Sequence, residues 1–257
     1  MTLQICILEA DDLYPSMQDT FISFGHMFKQ LLSSQDAAIE FEVFNVVRGE
    51  YPDNSQTFDA YLVTGSKADS FANDPWIVTL RTYLRERFAA GAVLLGICFG
   101  HQVLALVLGG ESQRSDKGWG LGVHRYQLDR KPEWLTDGPD EFQLLISHRD
   151  QVTALPEGAE LLASSDFCEN AAFMLGGQVL CFQGHPEFTH EFSRTLLQTR
   201  KSIYSPEKFQ AACQSLENKH DGYQIARWML SFIRAAKDKR NAAISLSTGQ
   251  SEGLCSA

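Results

Sequence analysis

The stretch Val93-Leu94-Leu95-Gly96-Ile97-Cys98-Phe99-Gly100-His101-Gln102 decides how this chain folds and what it presents to a ligand. An apolar run typical of a buried strand ends at Cys98, and a helical pattern follows directly. Gly96 and Gly100 remove the Cβ atoms that would clash in a sharp bend. The helix aims its N-terminal amides at the sulfur and favours the thiolate, the attacking form of cysteine. The stretch predicts a nucleophile on a strand–turn–helix elbow; a buried structural cysteine is the alternative for this motif alone.

A second apolar run, Val179 to Phe182, leads into Gln183-Gly184-His185-Pro186-Glu187-Phe188. A cysteine nucleophile needs a base for its proton, and the base needs a third group that fixes its orientation. His185 and Glu187 are the residue types for these roles, and Pro186 restrains the backbone between them. Both runs end at the carboxyl end of a predicted strand, where open parallel sheets place their sites. A strand-end histidine beside a solvated glutamate is the alternative for this stretch alone.

Residues 96–102 and 183–188 resemble the two signatures of class I glutamine amidotransferase domains. Between them, Ser147-His148-Arg149-Asp150-Gln151-Val152, followed by Leu155-Pro156-Glu157-Gly158, is similar to the segment before the catalytic histidine in the GMP-synthase-like branch. The resemblance runs in register from the first strand to about Phe192.

The resemblance implies hydrolysis of a γ-glutamyl amide through a γ-glutamyl thioester. Carried over by position, Cys98 is the nucleophile, His185 the base and Glu187 the group that orients the base. The implied partner is a small-molecule γ-glutamyl substrate, joined in ammonia-donating members by a separate synthetase or ligase.

The same comparison implies an oxyanion hole made of backbone amides. One donor is the N–H of Phe99, directly after the nucleophile, and the other lies in the loop that contains Gly65 and Ser66. Many relatives have glycine at the position of Ser66, so this chain departs from the pattern. A serine N–H still donates, and the departure therefore concerns the shape of the pocket.

Four further residues are expected at the substrate: Gln102, His148, Arg149 and Asp150. Gln102 matches the family glutamine that helps to hold the amino-acid end of the substrate; an ordinary residue in the first helical turn is the alternative. His148 and Asp150 are expected to flank the same pocket, and a hydrogen-bonded turn is their alternative.

Composition excludes several function classes. The formal net charge of −10 over 257 residues argues against a nucleic-acid-binding surface, which needs a basic stripe. No apolar run is long enough to cross a bilayer, and the N-terminus lacks the pattern of a secretory signal, so we expect a cytoplasmic protein without membrane contact. The six cysteines show no Cys-x-x-Cys spacing, which favours a reduced protein with no zinc site. We therefore expect no metal or other cofactor.

The first half of the chain alternates strands and helices. The predicted elements are strands Leu3–Leu8, Ile39–Val46, Ala60–Thr64 and Val93–Ile97, with helices at about 16–32 and from Asp74 onward. This order predicts an α/β fold with a mostly parallel central sheet and helices on both faces. The resemblance implies the flavodoxin-like architecture of class I amidotransferases. Short strands predicted at 123–128, 142–147, 160–163, 171–175 and 179–182, with a hairpin signal at Gly176-Gly177, extend the sheet and add a small antiparallel layer.

The last third is predicted to be helical at about 189–204, from Ser205 and at 221–237. Residues 241–257 are rich in Ser, Gly and Ala without periodicity. We expect one amidotransferase-like domain over residues 1–237 and a flexible tail over 238–257.

Three functions remain open at this point. The chain is a stand-alone hydrolase of γ-glutamyl amines, anilides or peptides, which the resemblance favours, or a glutaminase subunit that supplies ammonia to a separate synthetase. The third function is that of a catalytically idle regulatory module. The amine-side group is expected to contact loops around Asp11–Met17, Lys67–Asn73 and Gly118–Gly122. The sequence decides neither its identity nor the oligomeric state.

Overall fold

A large α/β sheet forms the frame of the protein. The computed structural model describes residues 2–53, 55–135 and 138–252, with side chains up to residue 243. The strands are β1 (Leu3–Glu9), β2 (Ile39–Asn45), β3 (Ala60–Val63), β4 (Leu94–Ile97), β5 (Glu111–Arg114), β6 (Gly120–Leu128), β7 (Glu141–His148), β8 (Asp150–Ala154), β9 (Glu160–Ser164), β10 (Ala172–Leu175) and β11 (Val179–Phe182). The α-helices are α1 (Pro15–Phe21), α2 (Phe24–Ser33), α3 (Pro75–Ala89), α4 (Phe99–Val107), α5 (His190–Thr199), α6 (Pro206–Ser215) and α7 (Gly222–Glu252).

One half of the sheet is parallel, in the order β2-β1-β3-β4-β11. Every residue of β3, β4 and β11 is buried, because helices cover both faces of the sheet there. Strand β2, at the edge, exposes Glu40 and Glu42. Since β4 and β11 are neighbours in register, with Ile97 opposite Phe182, the segments that follow both strands emerge side by side.

The other half of the sheet is antiparallel and continues as β10-β9-β6-β7. The hairpin predicted at Gly176-Gly177 joins β10 to β11, and Gly176 has a φ of +54°. A separate two-stranded antiparallel sheet pairs β5 with β8. These features confirm the predicted fold class, although neither strand of the small sheet was among the predicted strands. Strand β5 consists of four polar residues, so it carries no apolar alternation.

Helices pack on each face of the sheet through their apolar sides. On one face, Ile77, Leu80 and Leu84 of α3 join Val103 and Leu104 of α4 in one buried cluster. The opposite face is covered by α2 and α7, whose shared buried residues are Phe28, Leu32, Ile225, Met229 and Ile233. This packing anchors α4, the helix that begins directly after Cys98.

Two predicted helices are divided in the structure. The predicted helix at 16–32 breaks at Ile22, which has a φ of +63°, and restarts at Ser23, whose hydroxyl accepts a hydrogen bond from the His26 N–H at 3.2 Å. The predicted helix at 189–204 ends at Thr199, and a 3-10 turn (Lys201–Ile203) follows. The first break depends on the Ser23 cap, which apolar periodicity does not reveal.

The last helix runs further than the sequence indicated. It continues to Glu252, whereas the sequence pattern predicted its end at Lys237 and irregular chain beyond. Residues 235–243 are mainly Ala, Lys and Arg, which have high helix propensity, and Lys237 also pairs with Asp59 at 2.7 Å. Residues 253–257 of the expected tail lie outside the described residues. The domain limit at residue 237 and the mobility of the tail stay predictions. No helix in the described ranges combines the length and hydropathy needed to span a bilayer.

Replacing Gly100 with alanine should destabilise the fold. A Cβ atom at Gly100 would collide with the carbonyl oxygen of Val63 in β3, which is backbone and cannot move aside. We expect Gly100→Ala to lower the free energy of unfolding by about 1–3 kcal/mol, measured by urea denaturation. The matched control is Gly177→Ala, because a Cβ atom there meets nothing within 4 Å. Equal stability of the two variants would show that α4 does not pack tightly on β3.

Candidate active site

Cys98 lies on a strained turn between β4 and α4. Its φ of +54° and ψ of −100° lie in a region that residues other than glycine rarely adopt. Two backbone hydrogen bonds hold the turn: the Cys98 N–H donates to the Phe182 carbonyl at 2.9 Å, and the Gln102 N–H donates to the Cys98 carbonyl at 3.1 Å. The second bond begins α4, so the strained residue is also the N-cap of the helix.

Gly96 and Gly100 are required because the elbow folds onto itself. A Cβ atom on Gly96 would lie 2.5 Å from the Gly100 carbonyl oxygen, and one on Gly100 would collide with the backbone of Val63. The two glycines therefore allow strand, turn and helix to approach closely, as the sequence predicted. This packing fixes the direction of the Cys98 side chain.

His185 follows β11, the strand that neighbours β4, and its imidazole is held from several sides. The backbone N–H of His185 donates to the Leu145 carbonyl at 2.9 Å, and this bond ties the segment to β7. The imidazole Nδ1 lies 2.7 Å from Oε1 of Glu187. The Phe188 ring stacks on the imidazole at 3.8 Å with an interplanar angle of 10°. The described residues offer no hydrogen-bond partner to Oε2 of Glu187, so this carboxylate is bonded to His185 through Oε1.

The charge state of His185 is set by its neighbours. Burial lowers the pKa of His185, but the negative charges of Glu187 and Cys98 and hydrogen bonds to both side chains outweigh burial and raise the pKa to about 10. The structure thus brings Cys98, His185 and Glu187 together as the two motifs predicted. This raised pKa keeps the imidazole of His185 protonated at neutral pH.

The loop after β3 lies against the same imidazole. A Cβ atom on Gly65 would lie 2.6 Å from Cε1 of His185, so only glycine fits there. Ser66, at the departure from the family pattern, uses its hydroxyl to accept a hydrogen bond from the Ala68 N–H at 3.1 Å. The next residue, Lys67, donates its N–H to Asp11 at 2.8 Å. The serine therefore helps to hold the turn of the loop.

Cys98 opens onto a cavity of about 390 Å³. A groove of about 680 Å³ elsewhere on the surface is larger, but its lining does not include Cys98. The other lining residues of the cavity are Tyr14, Ser66, Lys67, Ala68, Asp69, Gln102, Trp119, Ser147, His148, Arg149, Asp150, Arg200 and Ile203. All four expected substrate residues are among them, and each of the three loops assigned to the amine side contributes.

Other cysteines lack this setting. Cys6, Cys168 and Cys181 are enclosed in the core, and burial raises the pKa of each thiol above its ordinary value. Such thiols are structural and unreactive. The described ranges hold no cluster of three or more His, Cys, Asp or Glu side chains that is arranged to bind a metal ion.

Gln102 and His148 both hold the backbone of Asp150. The amide of Gln102 donates to the Asp150 carbonyl at 2.8 Å and to the side chain of Gln183 at 3.2 Å. Nδ1 of His148 lies 3.0 Å from the same carbonyl, and burial lowers the pKa of His148 to about 3. The two side chains therefore shape one wall of the cavity by fixing Asp150.

Asp150 belongs to a cluster of two carboxylates and two guanidinium groups. Arg114 binds Asp69 at 2.7 Å and Asp150 at 3.4 Å, and Arg149 approaches the same two carboxylates at 3.8 and 4.0 Å. Burial, followed by the hydrogen bond and charge of Asp69, raises the pKa of Asp150 to about 6, despite Arg114. Arg114 was not predicted, and Asp69 was expected only as part of the loop Lys67–Asn73, on the amine side of the substrate. Arg114 reaches Asp150 because β5 pairs with β8, which sets the two residues opposite each other.

The fold is shared with solved structures. The crystal structure of a glutamine amidotransferase (tm1158) from Thermotoga maritima matches with a TM-score of 0.71 at 17% sequence identity, over 91% of this chain and 96% of that one. Together with the elbow and the histidine motif, this similarity defines an α/β protein of the amidotransferase fold.

Sequence comparisons define the family. Residues 17–201 match the family described as "Glutamine amidotransferase class-I", and the chain belongs to that family. YLR126C of Saccharomyces cerevisiae is 38% identical over 205 residues, which are 75% of this chain and 80% of that protein. Gamma-glutamyl peptidase 3 of Arabidopsis thaliana is 32% identical over 178 residues, which are 66% of this chain and 72% of that protein.

Replacing Glu187 with glutamine should lower the pKa of His185, because the carboxylate charge stabilises the imidazolium. An NMR titration of the histidine side chains should show a midpoint near 10 for His185 in the wild-type protein and a lower midpoint in Glu187→Gln. His148 is the internal reference, because its pKa of about 3 keeps it neutral over the same range. Identical His185 midpoints in the two proteins would contradict the assigned contact.

The raised pKa of His185 also makes the free energy of unfolding depend on pH. Because the pKa of His185 is higher in the folded protein than its ordinary value of 6.5, its stabilising contribution is complete below pH 6.5 and is lost as pH rises through about 10. The difference in unfolding free energy between wild type and Glu187→Gln should therefore shrink over that interval.

Proposed function

We propose that this protein hydrolyses γ-glutamyl amides with Cys98 as nucleophile and His185 as general acid and base. In this proposal Glu187 orients His185 and stabilises its protonated form. One observation carries the proposal. The sulfur lies at a strained elbow, opens onto a cavity and contacts an imidazole whose other side is bonded to a buried carboxylate. Membership in the class I amidotransferase family supports the same chemistry.

In the first half of the reaction, the thiolate of Cys98 attacks the γ-carbonyl carbon and forms a carbon–sulfur bond. The resulting oxyanion is held by the N–H of Phe99 and by the backbone of Gly65 and Ser66. The carbon–nitrogen bond then breaks, and the departing amine takes its proton from His185. A raised pKa suits this step, because the imidazolium is present before the substrate binds.

In the second half, water attacks the γ-glutamyl thioester. Neutral His185 takes a proton from the water, and the second tetrahedral intermediate collapses with cleavage of the carbon–sulfur bond. Glutamate leaves, and the proton on His185 restores the initial pair with the Cys98 thiolate. Glu187 stabilises the imidazolium in both halves, and its hydrogen bond to Nδ1 directs Nε2 toward the reacting atoms.

The charged cluster beside Asp150 suits the amino-acid end of a γ-glutamyl group. Its carboxylates, Asp69 and Asp150, can accept hydrogen bonds from an α-ammonium group, and Arg149 can donate to an α-carboxylate. Gln102 and His148 act indirectly in this proposal, because both hold the backbone carbonyl of Asp150. The wall therefore recognises a zwitterion.

The second candidate is a glutaminase that supplies ammonia to a separate synthetase, and the family name favours it. The gamma-glutamyl peptidase relative favours the hydrolase instead.

A substrate panel of glutamine, γ-glutamyl dipeptides, γ-glutamyl alkylamines and γ-glutamyl anilides separates the glutaminase from the hydrolase. Preference for glutamine that rises when a synthetase is added would indicate the ammonia donor; preference for a larger amide would indicate the hydrolase. A biological effect that survives Cys98→Ala would instead identify an idle module.

The thioester gives a direct test of the mechanism. Acid quenching of the wild-type protein during turnover of a γ-glutamyl amide should trap a γ-glutamyl adduct on Cys98, located by peptide mass spectrometry. Cys98→Ser should trap no thioester, and His185→Ala should lower kcat on the order of 10³-fold or more. Cys213→Ser is the control, because Cys213 is partly exposed and lies outside the cavity lining. Wild-type turnover by Cys98→Ser would contradict the mechanism.

A further inference from the structure

Arg200 is a charged residue of the cavity that does not belong to the Asp150 cluster. Arg200 follows α5 and lines the cavity together with Tyr14 and Ile203. Its Nε donates to the Tyr14 hydroxyl at 3.0 Å, and its Nη1 lies 3.4 Å from the Ser147 hydroxyl. The guanidinium also lies over the Tyr14 ring, 5.4 Å from the centroid. Neutral groups therefore hold this cation in place.

No carboxylate of the described residues pairs with Arg200. The other cations of the cavity lining differ: Lys67 is paired with Asp11, and Arg149 approaches Asp69 and Asp150. Arg200 is half-buried, so water solvates it less than an arginine on an open surface. A half-buried guanidinium that is oriented but lacks an anion is suited to bind the carboxylate of a ligand.

The position of His185 shows which end of the substrate Arg200 faces. A recess of about 30 Å³ is lined by His185, Gly65, Tyr14, Ser147 and Arg200. Its lining includes none of Asp69, Gln102, His148 and Asp150, which line only the main cavity. In the proposed reaction His185 protonates the departing amine. The amine side of the substrate therefore lies on the side of Tyr14 and Arg200, and the amino-acid end lies toward Asp150.

We infer that Arg200 binds a carboxylate on the amine side, so that the preferred substrates are γ-glutamyl amino acids or γ-glutamyl peptides with a free carboxyl terminus. This inference rests on the proposed function. Ammonia or a neutral alkylamine has no group for Arg200, and a substrate carboxylate supplies the missing anion. The half-buried Trp119 and the exposed Ile203 line the same cavity and can contact a peptide side chain.

Tyr14 is the positioning residue for Arg200. The guanidinium of Arg200 lies over the Tyr14 ring, and the Tyr14 hydroxyl accepts the hydrogen bond from Nε of Arg200. Lysine at position 200 would keep the charge but lose the planar stacking and the second donor edge. Replacing Arg200 with lysine therefore tests its charge, and replacing Tyr14 tests the orientation of the guanidinium.

The experiment compares matched substrates that differ only in charge: γ-glutamyl-alanine and γ-glutamyl-alanyl-glycine, each against its C-terminal amide. We expect the wild-type kcat/KM to favour the free carboxylate in at least one pair, and Arg200→Met to reduce that preference on the order of 10-fold or more. Arg200→Lys should retain part of the preference. Arg194→Met, on the exposed face of α5, is the control and should keep the wild-type ratio.

The outcomes separate this inference from the proposed function. Hydrolysis of all substrates without preference for the carboxylate, or an unchanged preference in Arg200→Met, would overturn the role of Arg200 and leave the γ-glutamyl hydrolase intact. Absence of hydrolysis and of any adduct on Cys98 would overturn both. If Arg200→Met does not fold, Tyr14→Phe retains the ring and removes only the hydroxyl; it should still lower the preference, and an unchanged preference would contradict the inference.

Discussion

The close packing that holds Cys98 in a left-handed backbone conformation is the constraint on which the site depends. A residue with a side chain adopts this conformation only where its surroundings enforce it. Here the enforcement comes from Gly96 and Gly100, which let the elbow fold onto itself and onto Val63, and from the hydrogen bond between the Cys98 N–H and the Phe182 carbonyl. The same hydrogen bond joins β4 to β11. The strain at the cysteine and the approach of the histidine segment therefore have one structural origin.

That approach explains the electrostatics of the site. His185 follows β11 and is fixed by Leu145, Glu187 and Phe188, so its imidazole cannot turn away from the sulfur. In a buried position an isolated imidazolium would be unstable, and the neighbouring carboxylate and sulfur reverse this effect. The cavity beyond has two different ends: a mixed-charge cluster around Asp150, and Arg200, which no carboxylate of the described part of the chain neutralises. Two charged ends at one sulfur suit a substrate that carries charge on both sides of its scissile bond.

The sequence predicted the parts of the fold and the site that depend on local patterns. Apolar runs ending at Cys98 and before His185 predicted two strands, and the parallel sheet rule predicted that the segments after both strands lie at the same edge. Gly176-Gly177 predicted the hairpin. Residues that reach the site through pairing of distant segments carried no such pattern.

Arg114 illustrates the difference, because it lies in a four-residue polar strand whose partner, β8, is far along the chain. Arg200 follows a helix that was predicted to continue past it, so its position at the cavity was hidden. The break at Ile22 and the extension of α7 were missed for a related reason: caps and helix propensity decided them, whereas apolar periodicity was the signal used.

The most direct measurement of the central claim is the rate at which each cysteine of the folded protein reacts with iodoacetamide, followed by peptide mass spectrometry. If the elbow presents the sulfur to His185, Cys98 should react faster than the more exposed Cys213, and His185→Gln should abolish that advantage. Faster reaction at Cys213, or a Cys98 rate that does not depend on His185, would contradict the account.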